Sequence, residues 1–174
     1  MKKLFIVSAA LLLIMLFTSK TALAQFEINK NYLGPTIGLA FGASTISFGA
    51  NYEYGIRLEE IANIGIGGVF RYWSYSDGYW SYTDIVIGAQ TNYHFKFKNK
   101  KIDPWAGIIL AFDFGSSNWS GPYSNSSNNS YGGMRISFNG GARYWISPTI
   151  ALNGRFAFGT LGYGGIEIGV DFKF

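Results

Sequence analysis

One histidine and no cysteine leave this chain few ways to do bond-making chemistry. His94 sits in the run Tyr93-His94-Phe95-Lys96, with no serine beside it. Acyl transfer by a serine needs a base within hydrogen-bond reach, so no nucleophile–base pair is readable there. A single imidazole without thiolates or a neighbouring acid is no zinc site. The carboxylates are few and scattered, and Gly65, Gly67 and Gly68 follow no phosphate-loop pattern. Catalytic, cofactor-binding and metal-binding residues are therefore all expected to be none. The ionisable residues that fall within segments of alternating character are Glu53, Arg57, Arg71, Asp84, His94, Lys96, Asp113, Arg135, Arg143, Arg155, Glu167, Asp171 and Lys173. Their available chemistry is mutual neutralisation, because an isolated ion removed from water is very costly. Glu53, Arg71, Arg143, Arg155, Glu167 and Asp171 are expected to form a structural ion-pair network.

The elements that must hold these charges are strands. From Ile166 to Phe174, every second residue is apolar (Ile166, Ile168, Val170, Phe172, Phe174), and Glu167, Gly169, Asp171 and Lys173 fall between. A period of two divides the two faces of a strand, and this length suits a tilted bilayer crossing. Seven further segments alternate in the same way: 32–43, 46–58, 64–74, 83–97, 105–115, 134–146 and 150–160. The fifth is apolar on both sides for most of its length, which makes its register the hardest to assign. Eight sequential segments predict an up-and-down antiparallel meander. Closure into a barrel removes its unpaired edges.

Alternation does not say which face is inside. The less apolar set is dominated by Gly, Ser, Ala and Asn, with charges of both signs, as a crowded lumen requires. Eight strands' worth of Ile, Leu, Phe and Tyr would overfill so narrow a cylinder. Short links at 59–63, 98–103 and 147–149 lie at one end; of the links at the other, the second and third are longer and polar-aromatic, an asymmetry of outer-membrane barrels, while the first and last are short and depart from its strongest form. Aromatic residues gather toward both ends of the strands: Tyr93, Phe95, Phe97, Tyr144, Phe172 and Phe174 at one, and Phe48, Tyr72, Tyr82, Phe112, Phe114 and Phe158 at the other. Such rings suit headgroup depth. The fold expected is an all-β, eight-stranded antiparallel up-and-down transmembrane β-barrel, apolar outside.

Residues 1–24 read as a cleaved secretory signal peptide. Lys2 and Lys3 precede an apolar run, and Ala22-Leu23-Ala24 is a small-x-small cleavage site. Residues 25–31 would be a periplasmic lead-in and 32–174 the barrel domain. The signal holds three of the 14 basic residues and none of the 10 acidic ones. The mature chain thus carries 11 basic against 10 acidic residues, about +1 net, which is no case for nucleic-acid binding. The chain is 14% charged, with 18% aromatic residues and 23 glycines. A soluble domain would carry nearer about a quarter charged.

Signal, eight strands and the terminal IEIGVDFKF together resemble the small bacterial outer-membrane β-barrel superfamily, OmpX-like proteins and the barrel domain of OmpA. The resemblance implies integral residence in the outer membrane, contact with its lipid, and recognition of the closing strand ending at Phe174 by the barrel assembly machinery. No peptidoglycan-binding domain is expected after Phe174. The resulting expectation is a monomer with a side-chain-filled lumen and a structural or surface-interaction role. The segments Tyr75–Tyr82 and Trp119–Tyr131 read as external loops, with Tyr79, Trp80, Trp119 and Tyr123 as possible contacts for an unidentified surface partner. The alternatives are a narrow passage for small hydrophobic molecules or ions, as in OmpW-like barrels, a soluble ligand-binding barrel, or an outer-leaflet lipid A-modifying enzyme. No cofactor is expected.

Overall fold

The computed structural model describes residues 26–58, 62–122, 128–159 and 164–174. Eight strands follow one another: β1 Asn31–Ala40, β2 Thr45–Leu58, β3 Ala62–Asp77, β4 Trp80–His94, β5 Ile102–Trp119, β6 Asn128–Trp145, β7 Ile150–Gly159 and β8 Gly165–Lys173. Each pairs antiparallel with its sequence neighbour, and β1 pairs with β8 to close the barrel. The signal segment, Tyr123 and most of the 59–63 and 161–165 links lie outside the described residues.

Burial follows the period-two pattern and settles the orientation. Ile168 and Phe172 are 65% and 46% exposed, whereas the neighbouring Asp171 is 1% exposed. Along β5, Ala106, Ile108, Leu110, Phe112 and Phe114 face out, and Trp105, Ile109, Ala111 and Asp113 face in. The register of that strand is therefore the expected one. At the β1–β8 seam the ladder skips Gly34 and Pro35, where proline has no N–H to offer.

The strands differ from expectation mainly in length. β3 and β4 continue to a two-residue turn at Gly78-Tyr79, with Asp77 paired to Trp80 and Gly78 at φ 59°. Positive φ at such a turn is what a tight hairpin asks for. The segment 75–82 is thus strand and turn, not an open loop, and the 116–133 connection shortens because β5 runs to Trp119 and β6 begins at Asn128. In these extensions the aromatic rings take the inward phase and Ser, Thr and Asn the outward one, so the outward apolar stripe that marks the other segments is missing. Tyr82, expected in an outer aromatic band, instead faces inward and stacks on Tyr75, ring centroids 4.9 Å apart. At the opposite end β4 stops at His94, and β5 starts at Ile102, inside the expected turn.

Candidate functional site

The lumen is filled by side chains in layers. At the mouth nearest the two chain ends of the barrel, Phe26, Tyr32, Trp145 and Ala151 form a buried apolar cluster. The lead-in does not trail away: Phe26 is 4% exposed and its ring stacks on His94 at 3.6 Å and on Tyr32 at 5.0 Å. The Glu27 N–H donates to the Tyr32 hydroxyl at 2.6 Å, and Lys173 Nζ donates to Glu27 Oε1 at 2.8 Å. Residues 26–30 thus cap the barrel from below. Nothing in a single aromatic at position 26 announced this, because its partners lie on β1, β4 and β6.

Above the cap is the main charged layer. Arg143 donates to Glu53 through Nη2, to Asp171 through Nε at 2.5 Å, and to Asp103 through Nη1 at 3.4 Å. His94 Nδ1 meets Asp103 at 2.8 Å and Nε2 meets Glu53 at 3.0 Å. Asn92 donates to Glu53 at 2.9 Å, and Asn153 to Asp171 at 3.0 Å. The arrangement depends on Gly65, where a Cβ would overlap the Glu53 carboxylate. Asp103 is a member that sequence reading missed, since Lys98–Pro104 looks like a turn. The proline is tolerated because it stands near the start of β5, and its carbonyl still accepts from Phe95 N–H at 2.9 Å.

A second layer is the bidentate pair of Arg71 with Glu167, 2.5 Å from Nε and 2.7 Å from Nη2, with Asn51 also accepting from Nη2 at 2.7 Å. The space beside this pair amounts to about 10 Å³, close to what about one water occupies. Arg155 is buried and sits over the Trp105 ring at 4.6 Å. It stands opposite Glu167 in the β7–β8 register. Toward the external side, Ala40, Val69, Trp73, Val86, Ile109 and Ala111 make an apolar layer. Asp113 and Arg135 pair above it at 2.9 Å.

The six residues expected to form one network are therefore placed in two layers and a cation–π contact. Arg143, Glu53 and Asp171 share one layer, Arg71 and Glu167 another, and Arg155 lies over Trp105. Arg57 and Lys96 do not belong to the lumen; both are exposed near the periplasmic rim. Among the described residues, no group of three or more His, Asp or Glu is arranged to hold a metal ion.

The external end carries a second constellation. Tyr79 and Trp119 meet edge to face at 5.4 Å, Trp80 and Trp119 are 5.1 Å apart, and Trp80 stacks toward Tyr82 at 6.2 Å. Three of the four expected loop-contact residues thus converge at one rim. Tyr123 lies outside the described residues.

No protein-family model matches this chain, and no curated protein sequence matches it. Solved structures do. The N-terminal β-barrel domain of Pseudomonas aeruginosa OprF is 16% identical, with 84% of this chain and 98% of that one covered and a TM-score of 0.56. Ail, the attachment invasion locus protein of Yersinia pestis, is 10% identical over 85% of this chain and all of its own, with a TM-score of 0.55. A de novo designed transmembrane β-barrel is 12% identical, covering 86% of this chain and 98% of its own, at 0.55. A designed barrel matches as well as the natural ones, so the likeness carries architecture and not activity. By these measures the chain has the closed, eight-stranded, up-and-down fold of small outer-membrane barrels.

Proposed function

We propose that this protein is an integral outer-membrane barrel with a sealed lumen, serving a structural or surface-interaction role through its external rim. The observation that carries the reading is the inversion of its surface. Leu, Ile and Phe side chains of all eight strands point outward, while Arg71, Arg143, Glu53 and Asp171 are buried. Water would penalise that exterior, whereas hydrocarbon accepts it and the closed ladder leaves no backbone edge unpaired in lipid. The same inversion argues against a soluble ligand-binding barrel.

Residues 1–24 act in this reading as the export signal, and the strand ending at Phe174 as the segment engaged by the assembly machinery. The barrel is a monomer in contact with outer-membrane lipid. Catalysis forms no part of it: both His94 nitrogens are engaged by carboxylates, and Phe26 covers the ring. The narrow-passage alternative is disfavoured by the five stacked layers that fill the lumen, each of which holds aromatic or ion-paired side chains.

Membrane fractionation with heat-modifiable gel mobility tests the proposal. Recovery in the outer-membrane fraction, with a band that migrates faster unheated than boiled, is the expected outcome. Recovery in the aqueous phase without detergent would overturn it.

A further inference from the structure

The four strands β3–β6 rise above the rest of the barrel. The last β2–β3 partners are Ser47 and Trp73, and the β6–β7 ladder ends at Ser137 and Gly159. Residues 74–77, 80–83, 115–119 and 128–136 therefore form a raised sheet whose inward face continues the lumen wall. That face carries Tyr75, Tyr82, Trp80, Trp119 and Tyr131. Tyr75 and Tyr82 are direct cross-strand partners, as are Trp80 and Trp119. Tyr131 lies flat across Gly115, where a Cβ would overlap its ring. The rings are organised in rows, with each row on one face about 7 Å from the next.

Charge on this face and the rung just beneath it has one predominant sign. Asp77 on the raised sheet, with the largely buried Asp84 and Asp113 below it, opposes Arg135 alone, and these described segments contain no lysine. Three carboxylates against one guanidinium leave −2. Asp113 is 6% exposed, and while Oδ2 accepts from Arg135, its Oδ1 has no partner. The Tyr131 hydroxyl and the Trp73 indole are the donors that reach Asp84.

We propose that this inward face is a docking site for an extended, arginine- or lysine-bearing segment of a second protein. Charge complementarity selects the occupant. Electron-rich ring faces attract cations, a guanidinium stacks on Tyr or Trp while pairing with a carboxylate, and an anionic partner would meet only repulsion. An extended peptide presents alternate side chains at about the same 7 Å interval as the rows, so basic residues at every second position fit best. The proposal rests on the external placement of this rim and deepens the surface-interaction reading.

The test uses the full barrel in lipid nanodiscs and a fluorescent (Arg-Ser)4 peptide followed by anisotropy. Wild type is expected to bind, with affinity falling at least tenfold in Trp119→Ala and in Asp77→Asn/Asp84→Asn, and falling again between low and high salt. Heat-modifiable mobility verifies that each variant is folded, and Asp77→Asn alone, at an exposed turn position, gives a second reading if the double variant fails to fold. Equal binding of (Glu-Ser)4, or unchanged affinity in folded variants, would overturn the proposal. Binding of maltohexaose without binding of the basic peptide would likewise overturn it and assign the platform to neutral glycans. Orientation is tested separately, by labelling Ser120→Cys on intact cells with an impermeant maleimide. Absence of labelling in a folded barrel sinks external placement, whereas labelling without peptide binding sinks only the docking site.

Discussion

Arg143 is the side chain on which the lumen depends most. Three carboxylates, Glu53, Asp103 and Asp171, converge on it. Replacing it with methionine keeps the bulk but leaves those acids facing one another in a buried layer. Breaking a buried pair by removing one partner costs about 3–5 kcal/mol. Arg143→Met is thus expected to lower the unfolding free energy by that order, obtained from urea titrations of the folded fraction followed by heat-modifiable mobility. Arg135→Met breaks a single pair whose arginine side is partly open, at 16% side-chain exposure against 2% for Arg143, and a smaller loss, about 1–3 kcal/mol, is expected from it. Equal effects of the two variants would contradict the layered account. The charged types and their inward phase were legible beforehand; their pairing was not. Arg71 finds Glu167 96 residues away, and only the closed cylinder brings β3 and β8 within side-chain reach across the axis.

At the scale of elements, the barrel divides into a spanning part and a raised part. β7 and β8 have 10 and 9 residues, whereas β5 and β6 have 18 each. The excess length lies beyond the last paired residues of β2 and β7, Ser47 and Gly159, so closure of the ladder does not require it. Joining Ser74 to Thr83 through Asn-Gly, a favoured hairpin turn, is expected to leave heat-modifiable mobility intact. Loss of the folded band would show that the extension nucleates the barrel. These extensions escaped sequence reading for a physical reason. Above the lipid the contrast inverts, with aromatic rings inward and Ser, Thr and Asn outward, so the outward apolar stripe that marks the spanning segments is absent. Ser76, Ser81 and Asn118 then read as loop.

At the scale of the whole molecule, the proposed reading is a plugged cylinder within an apolar sleeve. Ile108 stands midway along the spanning part of β5 and faces outward. Ile108→Arg is expected to cost about 2–4 kcal/mol for membrane folding, as a charge near the midplane does, measured by equilibrium refolding into lipid vesicles. A negligible cost would place that face outside the hydrocarbon. Steady conductance in planar bilayers is expected to be absent from the wild type. It is expected to stay absent in Phe26→Ala, because the Arg143 and Arg71 layers still close the path. Large, stable channels from either protein would refute the sealed lumen.

By itself the sequence determined eight crossings, their phase, and the class of residue on each face. All of these follow from a period of two, a local property that neighbouring residues report without knowledge of the rest of the chain. Closure decided what local pattern cannot encode: that Phe26 folds back onto His94, that Asp103 joins Arg143, and that Tyr82 turns inward to meet Tyr75. Each is a contact between strands whose relative height is set by register. Register is a property of paired backbones, and it exists only once the sheet has formed.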